Sequence, residues 1–448
     1  MIEETREWLE KDRRYIWHGM SGYNPDASPM VVTEADGAWI TDIDGNRYLD
    51  GMAGMWSVNA GYGREKLAQA AYEQLKTMSY YPITQSHLPA IELGEKLNEW
   101  LDGEYVIRYA NSGSEANETA FKIARQYHAQ NGEPGRYKFI ARYRGYHGNT
   151  MGALAATGQS QRKYLYEPLA PGFLHVVPPD RYRCGFCSDR PACNMECARE
   201  VERAITWELP DTVAAVIMEV IITGGGIIVP PDGYIEEVAR ICERTGVLLI
   251  IDEVGCGFGR TGKKFGFHHH DVKPDIVTMG KAMTSGYLPL SAAAVRRELF
   301  EKFDATQEYG RFRQVNTFSG NPAACAVAAK NLEIMEDEDL CGRSAMLGER
   351  LRKELTGLKD HPNVGDIRGR GLLCGIELVE DKESKQPVST RTMDKVVSAC
   401  NERGLILRYN RDTTPGVNNV LALSPPLSIT DEDLAFIVET VKESFEQL

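Results

Sequence analysis

Four short apolar runs in the middle of the chain constrain its fold more than any other feature. They are YKFIARY, TVAAVIMEV, VLLIIDEV and DIVTMG, and segments with helical periodicity such as ETAFKIARQYHAQ alternate with apolar runs of this kind. Short apolar runs that alternate with helices are typical of parallel strands buried on both faces of a sheet. We therefore predict an α/β fold whose core is a mostly parallel sheet.

The two ends of the chain have a different pattern from the middle. The N-terminal stretch contains a strand–turn–strand signal, AWITDIDGNRYLD, with Asp44 and Gly45 at the turn. After about Ala323 come two long helical segments, LEIMEDEDLCGRSAMLGERLRKEL and DEDLAFIVETVKESFEQL, with short strand-like pieces between them. We predict a large domain over residues 63–322 and a smaller α+β domain built from residues 1–62 and 323–448.

The net charge argues against one broad class of partners. The chain carries 64 acidic residues against 51 Lys and Arg, a net charge of -13 at pH 7. Such a surface repels nucleic-acid phosphates and anionic membranes. The start, MIEETREWLEKDRR, has no apolar signal segment, and apolar runs such as GVLLII are far shorter than the ~20 residues of a membrane span. Ten cysteines in 448 residues fit reduced thiols. We therefore expect a cytoplasmic protein.

Polar residues stand directly after three of the predicted strands. Ser112 and Gly113 follow VIRYA and open an amphipathic helix, whose free N–H groups suit a phosphate, although an ordinary capped helix is the alternative. Asp252 ends VLLIID, where a carboxylate needs a cationic partner such as a protonated pyridine, or else caps a loop. Lys281 follows DIVTMG and would be a nucleophile for carbonyl substrates. Open α/β sheets bind ligands at the carboxyl ends of their strands, so together these residues predict one site.

The chain also resembles a known family over essentially its whole length. The motifs that carry the resemblance are NSGSEANE, YRGYHGNTMG, DEV followed by FGRTGK, TMGKA and VNTFSGNP. They are similar to those of the class III, or omega, aminotransferases, which have the type I fold of pyridoxal-phosphate enzymes, and look closest to the taurine– and beta-alanine–pyruvate enzymes. The resemblance implies pyridoxal 5′-phosphate as cofactor, a small amino donor and a ketoacid acceptor as substrates, and a homodimer with shared active sites that could assemble further into a tetramer.

The resemblance also implies roles for single residues. Lys281 would hold the cofactor as a Schiff base and move a proton between donor and cofactor in a ping-pong mechanism, and Asp252 would pair with the ring nitrogen. The other cofactor-binding residues implied are Ser112, Gly113 and Ser114 at the phosphate, Tyr146 and Val254 on the two faces of the ring, His147 and Glu219 as support, and Thr317 at the phosphate of the neighbouring subunit's cofactor.

The substrate side is less constrained by the sequence. Gly224 stands where ornithine-type relatives carry a second glutamate, which favours an omega-amino acid or amine as donor and pyruvate as acceptor. Trp56, Tyr80 and Tyr81 resemble the aromatic wall of the donor pocket, with burial in the core as the alternative. Arg411 or Arg408 could bind the acceptor carboxylate.

Two departures from the family pattern lie near the predicted site. Val220 follows Glu219 where proline is usual, and Gly255 stands where a larger side chain is common. We expect a locally roomier or more flexible pocket.

Other functions compete with this interpretation. Class III relatives also include diaminopelargonate-type aminotransferases, racemases and decarboxylases. The glycine loop GFGRTGK at 257–263 imitates a dinucleotide fingerprint, but Asp252 and Glu253 separate it from the end of the apolar run. It also nearly matches a P-loop, but Lys264 stands where Ser or Thr must bind magnesium. A nucleotide-binding enzyme is therefore a remote alternative.

One cysteine-rich segment, CGFCSDRPACNMEC, is not explained by the resemblance. Its CxxC and CxxxC pairs could ligate zinc or form a redox pair, but they lie closer together than in common zinc ribbons. We expect no metal there, and free thiols in an insertion loop are the favoured interpretation. The cysteines are Cys184, Cys187, Cys193 and Cys197.

Overall fold

A computed structural model describes residues 3–187 and 193–448. The strands in these residues are β1 (Val32–Asp36), β2 (Trp39–Asp42), β3 (Arg47–Asp50), β4 (Tyr105–Ala110), β5 (Lys138–Arg142), β6 (Phe173–Val176), β7 (Val213–Glu219), β8 (Leu248–Asp252), β9 (Ile276–Met279), β10 (Ser291–Arg296), β11 (Val364–Gly369), β12 (Cys374–Leu378), β13 (Leu405–Ile406), β14 (Arg408–Tyr409) and β15 (Val420–Leu423).

Helices connect these strands and cover the sheets. They are α1 (Glu3–Tyr15), α2 (Ala53–Trp56), α3 (Glu65–Thr77), α4 (Leu88–Leu101), α5 (Gly113–Gln130), α6 (Met151–Ala156), α7 (Ser160–Lys163), α8 (Glu196–Trp207), α9 (Tyr234–Thr245), α10 (Arg297–Phe300), α11 (Pro322–Asp337), α12 (Leu340–Leu355), α13 (Thr390–Glu402) and α14 (Asp431–Phe445). Short 3₁₀ segments lie at Pro210–Thr212, Gly266–His269, Lys281–Thr284 and Thr356–Asp360. Among the described helices, none is both long and apolar enough to cross a bilayer.

The core of the molecule is a seven-stranded sheet in the order β4-β10-β9-β8-β7-β5-β6. β10 runs antiparallel to its neighbours β4 and β9, and the other neighbouring pairs are parallel. Every residue of β7 and of β8 is buried, as expected for strands covered by helices on both faces. The predicted α/β fold with a mostly parallel sheet is therefore confirmed.

The register of this sheet brings the predicted strand ends together. Glu219 at the end of β7 pairs directly with Asp252 at the end of β8, which in turn pairs with Thr278 on β9. At the far side, Ser291 at the start of the antiparallel β10 lies opposite Ala110 at the end of β4. The residues that follow β4, β7, β8 and β9 therefore share one edge of the sheet.

Two smaller sheets complete the fold. The order β1-β2-β3-β13 joins the two ends of the chain, because Leu405 of β13 pairs in parallel with Leu49 of β3. The turn predicted between β2 and β3 is confirmed: Asp42 Oδ1 accepts from the backbone N–H of Asp44, and Gly45 has φ +85°. The order β11-β12-β15-β14 is antiparallel. The domain boundaries after residues 62 and 322 stay a prediction.

One predicted helix is in fact two. The segment LEIMEDEDLCGRSAMLGERLRKEL was expected to be a single helix, but α11 ends at Asp337 and α12 begins at Leu340. Asp339 adopts the left-handed conformation with φ +45°, and its side chain accepts from the backbone N–H of Gly342 as the N-cap of α12. An aspartate that caps a new helix competes with helix continuation, and this competition explains the break.

Candidate active site

Lys281 lies at the shared edge, directly after β9 and the connecting Gly280. Its backbone has a positive φ of +43°. Residues other than glycine rarely adopt this conformation, and those that do are often found at functional sites. Its Nζ atom lies 5.3 Å from the centre of the Trp56 ring. Burial lowers the pKa of the Lys281 amine, while the nearby carboxylates of Asp252 and Glu219 act in the opposite direction. The amine is thus more readily deprotonated than that of a surface lysine.

Asp252 is held by hydrogen bonds at both oxygens. Its Oδ2 atom lies 2.8 Å from Nδ1 of His147 and accepts from Nδ2 of Asn117 at 2.9 Å. Its Oδ1 atom accepts from the backbone N–H of Val254 at 3.0 Å. The residue is buried. A buried carboxylate fixed in this way can orient a cationic ligand group, because its own position is set before the ligand arrives.

Glu219 supports the loop that carries Tyr146. Its Oε1 atom accepts from the backbone N–H of Tyr146 at 3.1 Å, and its Oε2 atom accepts from the backbone and hydroxyl of Thr223. The hydroxyl of Tyr146 donates to Oδ1 of Asn149 at 2.8 Å. The guanidinium of Arg162 lies 5.4 Å from the centre of the Tyr146 ring. Glu219 therefore holds the Tyr146 loop in place, in addition to its charge effect on the Lys281 amine.

The predicted phosphate-binding residues form the N-terminus of α5. Ser112 is the N-cap and accepts from the backbone N–H of Glu115 at 3.3 Å. The carboxylate of Glu115 accepts from the backbone N–H of Asn111. The hydroxyl of Ser114 accepts from the backbone N–H of Asn149 at 3.0 Å. These bonds link the start of α5 to the Tyr146 loop.

Gly113 is required by close packing. A Cβ atom at this position would lie 2.8 Å from Cγ1 of Val254, inside any normal contact distance. A Cβ atom at Gly280 would lie 3.7 Å from the backbone nitrogen of Gly113, so the residue that precedes Lys281 sits beside the start of α5. The structure thus brings Gly113, Val254 and Lys281 to one place.

Trp56 and the two tyrosines lie in different surroundings. Trp56 faces the Lys281 amine, and among the described residues its buried Nε1 atom has no hydrogen-bond partner. Tyr80 and Tyr81 are exposed. The hydroxyl of Tyr80 donates to the backbone oxygen of Thr317 at 2.7 Å, and its ring lies 5.9 Å from that of Phe318. Thr317 is exposed as well.

Arg411 makes its described contacts on the surface of the C-terminal part. Nη1 lies 3.3 Å from Oδ1 of Asp394, Nε lies 3.7 Å from Oδ2 of Asp412, and the side chain is 59% exposed. These contacts do not join Arg411 to the residues around Lys281, and its role in substrate binding stays a prediction.

The two sequence departures lie in closely packed surroundings. A side chain at Gly255 would meet Thr223, whose Oγ1 atom lies 3.0 Å from the ideal Cβ position. Val220 is buried in the hydrophobic core. Thr223, which Glu219 fixes, therefore already fills the space beside Gly255, and the expectation of a roomier or more flexible pocket stays a prediction.

The glycine loop that imitates a nucleotide fingerprint has another task. Arg260 in the middle of the loop is buried and donates through Nη1 to the backbone oxygens of Leu372, at 2.9 Å, and Pro425, at 2.6 Å. A short 3₁₀ segment follows, where a dinucleotide site needs a long helix. The loop therefore docks the C-terminal part onto the sheet.

The cysteine-rich segment contains a close thiol pair. Sγ of Cys187 lies 3.1 Å from Sγ of Cys184, both residues are partly exposed, and Cys197 is buried. Within residues 3–187 and 193–448, no group of three or more His, Cys, Asp or Glu side chains has an arrangement that could hold a metal ion.

Sequence reasoning missed three residues that organise the site. Asn117 donates to Asp252 and to the backbone oxygen of His147, and its Oδ1 atom accepts from Thr278 Oγ1 at 2.7 Å. Asn331 of α11 donates to the backbone oxygens of Ala282 and Met283, and so fixes the segment after Lys281. One signal in the sequence could have pointed to them. Thr278 is a polar residue inside the apolar run DIVTMG, and a buried polar side chain requires a hydrogen-bond partner nearby.

The arrangement fits a pyridoxal phosphate. Three groups lie at one edge of the sheet. They are the desolvated amine of Lys281, the buried and oriented carboxylate of Asp252, and the N-terminus of α5, whose first residue is Gly113. An amine binds the aldehyde, a carboxylate pairs with the ring nitrogen and a helix start binds the phosphate.

Comparison with known proteins settles the family. The family model for class III aminotransferases matches residues 22–445. The chain belongs to the class III aminotransferases. This aminotransferase is 60% identical over 447 residues to the uncharacterized aminotransferase YhxA of Bacillus subtilis, covering 100% of this chain and 98% of the relative. It is 39% identical over 451 residues to the taurine–pyruvate aminotransferase of Bilophila wadsworthia, with coverage of 99% and 98%.

A solved structure supports the same assignment. The omega transaminase of Pseudomonas jessenii in complex with PMP superimposes with a TM-score of 0.92 at 35% identity, covering 98% of this chain and 97% of that chain. The aminotransferase therefore has fold type I and uses pyridoxal phosphate.

Proposed function

We propose that this aminotransferase moves the amino group of an omega-amino acid or amine, such as beta-alanine or taurine, to pyruvate in a ping-pong reaction. The observation that carries the proposal is the position of the Lys281 amine. It lies within reach of the charges of Asp252 and Glu219 and 5.3 Å from the Trp56 ring. Support for the substrate class comes from the 39% identity to a taurine–pyruvate enzyme over nearly the whole chain.

In this proposal the residues at the sheet edge have separate tasks. Bound pyridoxal phosphate supplies a carbonyl for amine exchange and a ring that accepts electrons. The amine of Lys281 would hold the cofactor through that carbonyl group and, when free, would carry a proton as general base and acid. Asp252 would pair with the ring nitrogen, and His147 and Asn117 hold Asp252 in place.

We extend the proposal to the remaining cofactor contacts that the family resemblance implies. We assign the phosphate to the N-terminus of α5, where Ser112, Gly113 and Ser114 lie. Tyr146 and Val254 would enclose the ring from its two faces, since the Tyr146 loop and Val254 both contact the start of α5. Both halves of the reaction would use this set, because the acceptor reverses the steps of the donor.

The neighbourhood of Tyr146 favours an omega-amine donor over ornithine. The ideal Cβ position of Gly224 lies 3.8 Å from Cβ of Tyr146 and 3.6 Å from Nε2 of Gln159. A glutamate at this position, as in ornithine-type relatives, would place a second carboxylate beside the ring-stacking residue. With glycine there, that carboxylate is lacking, and the apolar face of Trp56 forms a wall beside the amine.

Arg411 is proposed as the ligand of the acceptor carboxylate in a different side-chain position. To reach the pocket it must leave Asp394, to which it is bound at 3.3 Å with 59% of its side chain exposed. An exposed ion pair of this kind contributes about 0–1 kcal/mol, so the guanidinium can leave it with little loss of free energy.

We further propose a cytoplasmic homodimer. Thr317 lies in an exposed aromatic patch with Tyr80, Tyr81 and Phe318, which are 38%, 49% and 63% exposed. Exposed apolar patches of this kind mark interfaces. A second copy that covers the patch would bring its cofactor phosphate to Thr317, as the family resemblance implies.

A substrate panel tests the proposed function. The holoenzyme is incubated with beta-alanine, taurine, ornithine, adenosylmethionine or an aromatic amine, each with pyruvate or 2-oxoglutarate, and the alanine or glutamate formed is measured. We expect the highest kcat/KM for beta-alanine or taurine with pyruvate. Activity confined to ornithine with 2-oxoglutarate, or to adenosylmethionine, would overturn the proposal.

The cofactor spectrum separates amino transfer from the other class III reactions. Beta-alanine alone should bleach the visible band of the holoenzyme, and pyruvate should restore it. A racemase or decarboxylase would instead turn over the amino acid with no need for pyruvate.

A further inference from the structure

The loop that contains Cys184 and Cys187 is anchored to the C-terminal sheet. Arg183, directly before it, forms an ion pair with the buried Glu377 on β12 and donates to the backbone oxygen of Lys385. Lys385 in return donates from Nζ to the backbone oxygen of Tyr182 at 2.9 Å. The backbone directly before Cys184 is therefore fixed, although Cys184 lies in a surface loop.

The two thiols are in direct contact. The Sγ–Sγ distance of 3.1 Å is about 1 Å longer than a disulfide bond of roughly 2.05 Å. Residues 185–187 form a turn, and the ends of a four-residue turn lie within about 7 Å at Cα, which overlaps the range found for disulfides. Small side-chain rotations therefore suffice to join the sulfurs.

Most other cysteines of the described chain are in surroundings that make thiols inert. Cys256, Cys325, Cys374 and Cys400 are buried, and burial raises the pKa of the Cys325 and Cys374 thiols to about 12. A thiol reacts as its thiolate and needs access to the oxidant. Cys184 and Cys187 are partly exposed, and they are also in contact with each other.

The hydrogen bond within the pair gives the two sulfurs different roles. The thiol of Cys187 donates to Sγ of Cys184, and this bond, followed by desolvation and a further hydrogen bond with Cys193, raises the pKa of Cys187 to about 12. Cys184 accepts this bond, and its own proton is not engaged in it.

We propose that Cys184 and Cys187 form a redox-active dithiol that closes reversibly to a disulfide by exchange with a small-molecule disulfide. In the first step Cys184 Sγ bonds to one sulfur of the reagent, whose S–S bond breaks and releases one thiol. In the second step Cys187 Sγ bonds to Cys184, and the mixed disulfide breaks and releases the second thiol. The protein loses two protons and two electrons, and the reagent gains them as two thiols.

The test counts free thiols in the full-length holoenzyme. The protein is incubated with glutathione disulfide, quenched in acid, alkylated under denaturing conditions and weighed by mass spectrometry. We expect two fewer alkylated thiols than the ten of the reduced chain, a cross-link between Cys184 and Cys187 in the peptide map, and full recovery with dithiothreitol. The number of free thiols does not depend on catalysis. A failure of the dithiol proposal can therefore be distinguished from a failure of the proposed amino-transfer function.

Single variants separate the roles of the two sulfurs. Cys187→Ser should retain one bound glutathione on Cys184, because the second step is blocked, and Cys184→Ser should form no cross-link, because one of the two sulfurs is missing. The matched control is Cys341→Ser, a partly buried cysteine elsewhere, which should still lose two free thiols on oxidation.

Two results would overturn the proposal. One is a cross-link that maps to Cys193 or Cys197 in place of the pair. The other is stoichiometric zinc in protein purified without chelator, with thiols that resist alkylation until the zinc is removed, because the cysteines would then be metal ligands.

Discussion

Nδ1 of His147 lies 2.8 Å from Oδ2 of Asp252, and both side chains are buried at the edge of the central sheet. The same carboxylate oxygen accepts from Asn117 at 2.9 Å, and Asn117 in turn accepts from Thr278. Asp252 is therefore the centre of a network that spans β8, β9, α5 and the loop after β5.

Asn117→Ala should weaken cofactor binding. The change removes one donor to a charged group and leaves the buried Thr278 hydroxyl without its acceptor. A hydrogen bond to a charged group contributes about 1.5–3 kcal/mol, so the dissociation constant of pyridoxal phosphate should rise about tenfold or more. Equilibrium dialysis measures this constant. The control is Asn401→Ala, at an exposed position, which should leave the dissociation constant unchanged. An unchanged constant in Asn117→Ala would show that Asp252 needs no support from Asn117.

Lys281→Ala should abolish amino transfer and the visible band of a lysine-bound cofactor. The amine at this position is the proposed attachment point and proton carrier, and alanine provides neither. Absorbance spectra of the purified variants give the answer directly. Lys273→Ala, an exposed lysine shortly before β9, should keep both the band and the activity. A band that persists in Lys281→Ala would contradict the assignment.

Capture of the cofactor by the apoenzyme should speed up with rising pH. Only the neutral amine attacks the aldehyde, and burial lowers the pKa of Lys281 below its ordinary 10.5. The midpoint of the rate–pH profile, followed by stopped-flow absorbance, should therefore lie below 10.5.

Glu219→Gln should move that midpoint further down. The negative charge of Glu219 raises the pKa of Lys281, so its removal favours the neutral amine at lower pH. Glu243→Gln, on the exposed face of α9, should not move it. A midpoint at the value of a free lysine in the wild-type protein would show that burial does not control the amine.

Gly113→Ala should disturb the contact between α5 and Val254. The new methyl group would lie 2.8 Å from Val254 Cγ1, and overpacking of this kind costs about 1–3 kcal/mol. We expect a lower cofactor affinity and a lower thermal midpoint. In Gly94→Ala, on α4, the methyl group would lie 3.6 Å from the Tyr109 hydroxyl, so the same change should stabilise the helix by about 0.5–1 kcal/mol. Equal behaviour of the two variants would contradict the close packing.

Glu377→Gln should destabilise the C-terminal sheet. Glu377 is fully buried and pairs with Arg183 and with Arg368 Nη1 at 2.6 Å, so the neutral amide leaves two partly buried guanidinium groups without this counter-charge. Removal of one partner from a buried ion pair costs about 3–5 kcal/mol. Urea unfolding measures the loss. The exposed Glu380→Gln should change the free energy of unfolding by less than about 0.5 kcal/mol.

The sheet and the strand-end residues could be predicted because both follow from local sequence. The run VAAVIME is apolar up to its last residue and is buried throughout, and Asp252 and Lys281 were recognised because they come directly after such runs. Parallel strands bring such ends together without further information. The break at Asp339 was missed because a left-handed cap inside a helical pattern depends on one backbone conformation.

The supporting residues could not be predicted because their partners are remote in the sequence. Asn117 contacts Asp252 across 135 positions, and Asn331 reaches Ala282 across 49. Asn117 also lies within α5, and nothing in the sequence around it distinguishes it from other residues of the helix. The partner of Arg411, Asp394, lies on α13, 17 positions earlier in the chain, and gives no local signal either.

The buried guanidinium of Arg260 has a consequence for the motion of this enzyme. It joins the segment after β8 to backbone oxygens of Leu372 and Pro425, which flank the C-terminal sheet. A hinge that opened here would have to break both of these buried hydrogen bonds. The C-terminal part is thereby tied to the segment that directly follows Asp252, the strand-end carboxylate of the candidate site.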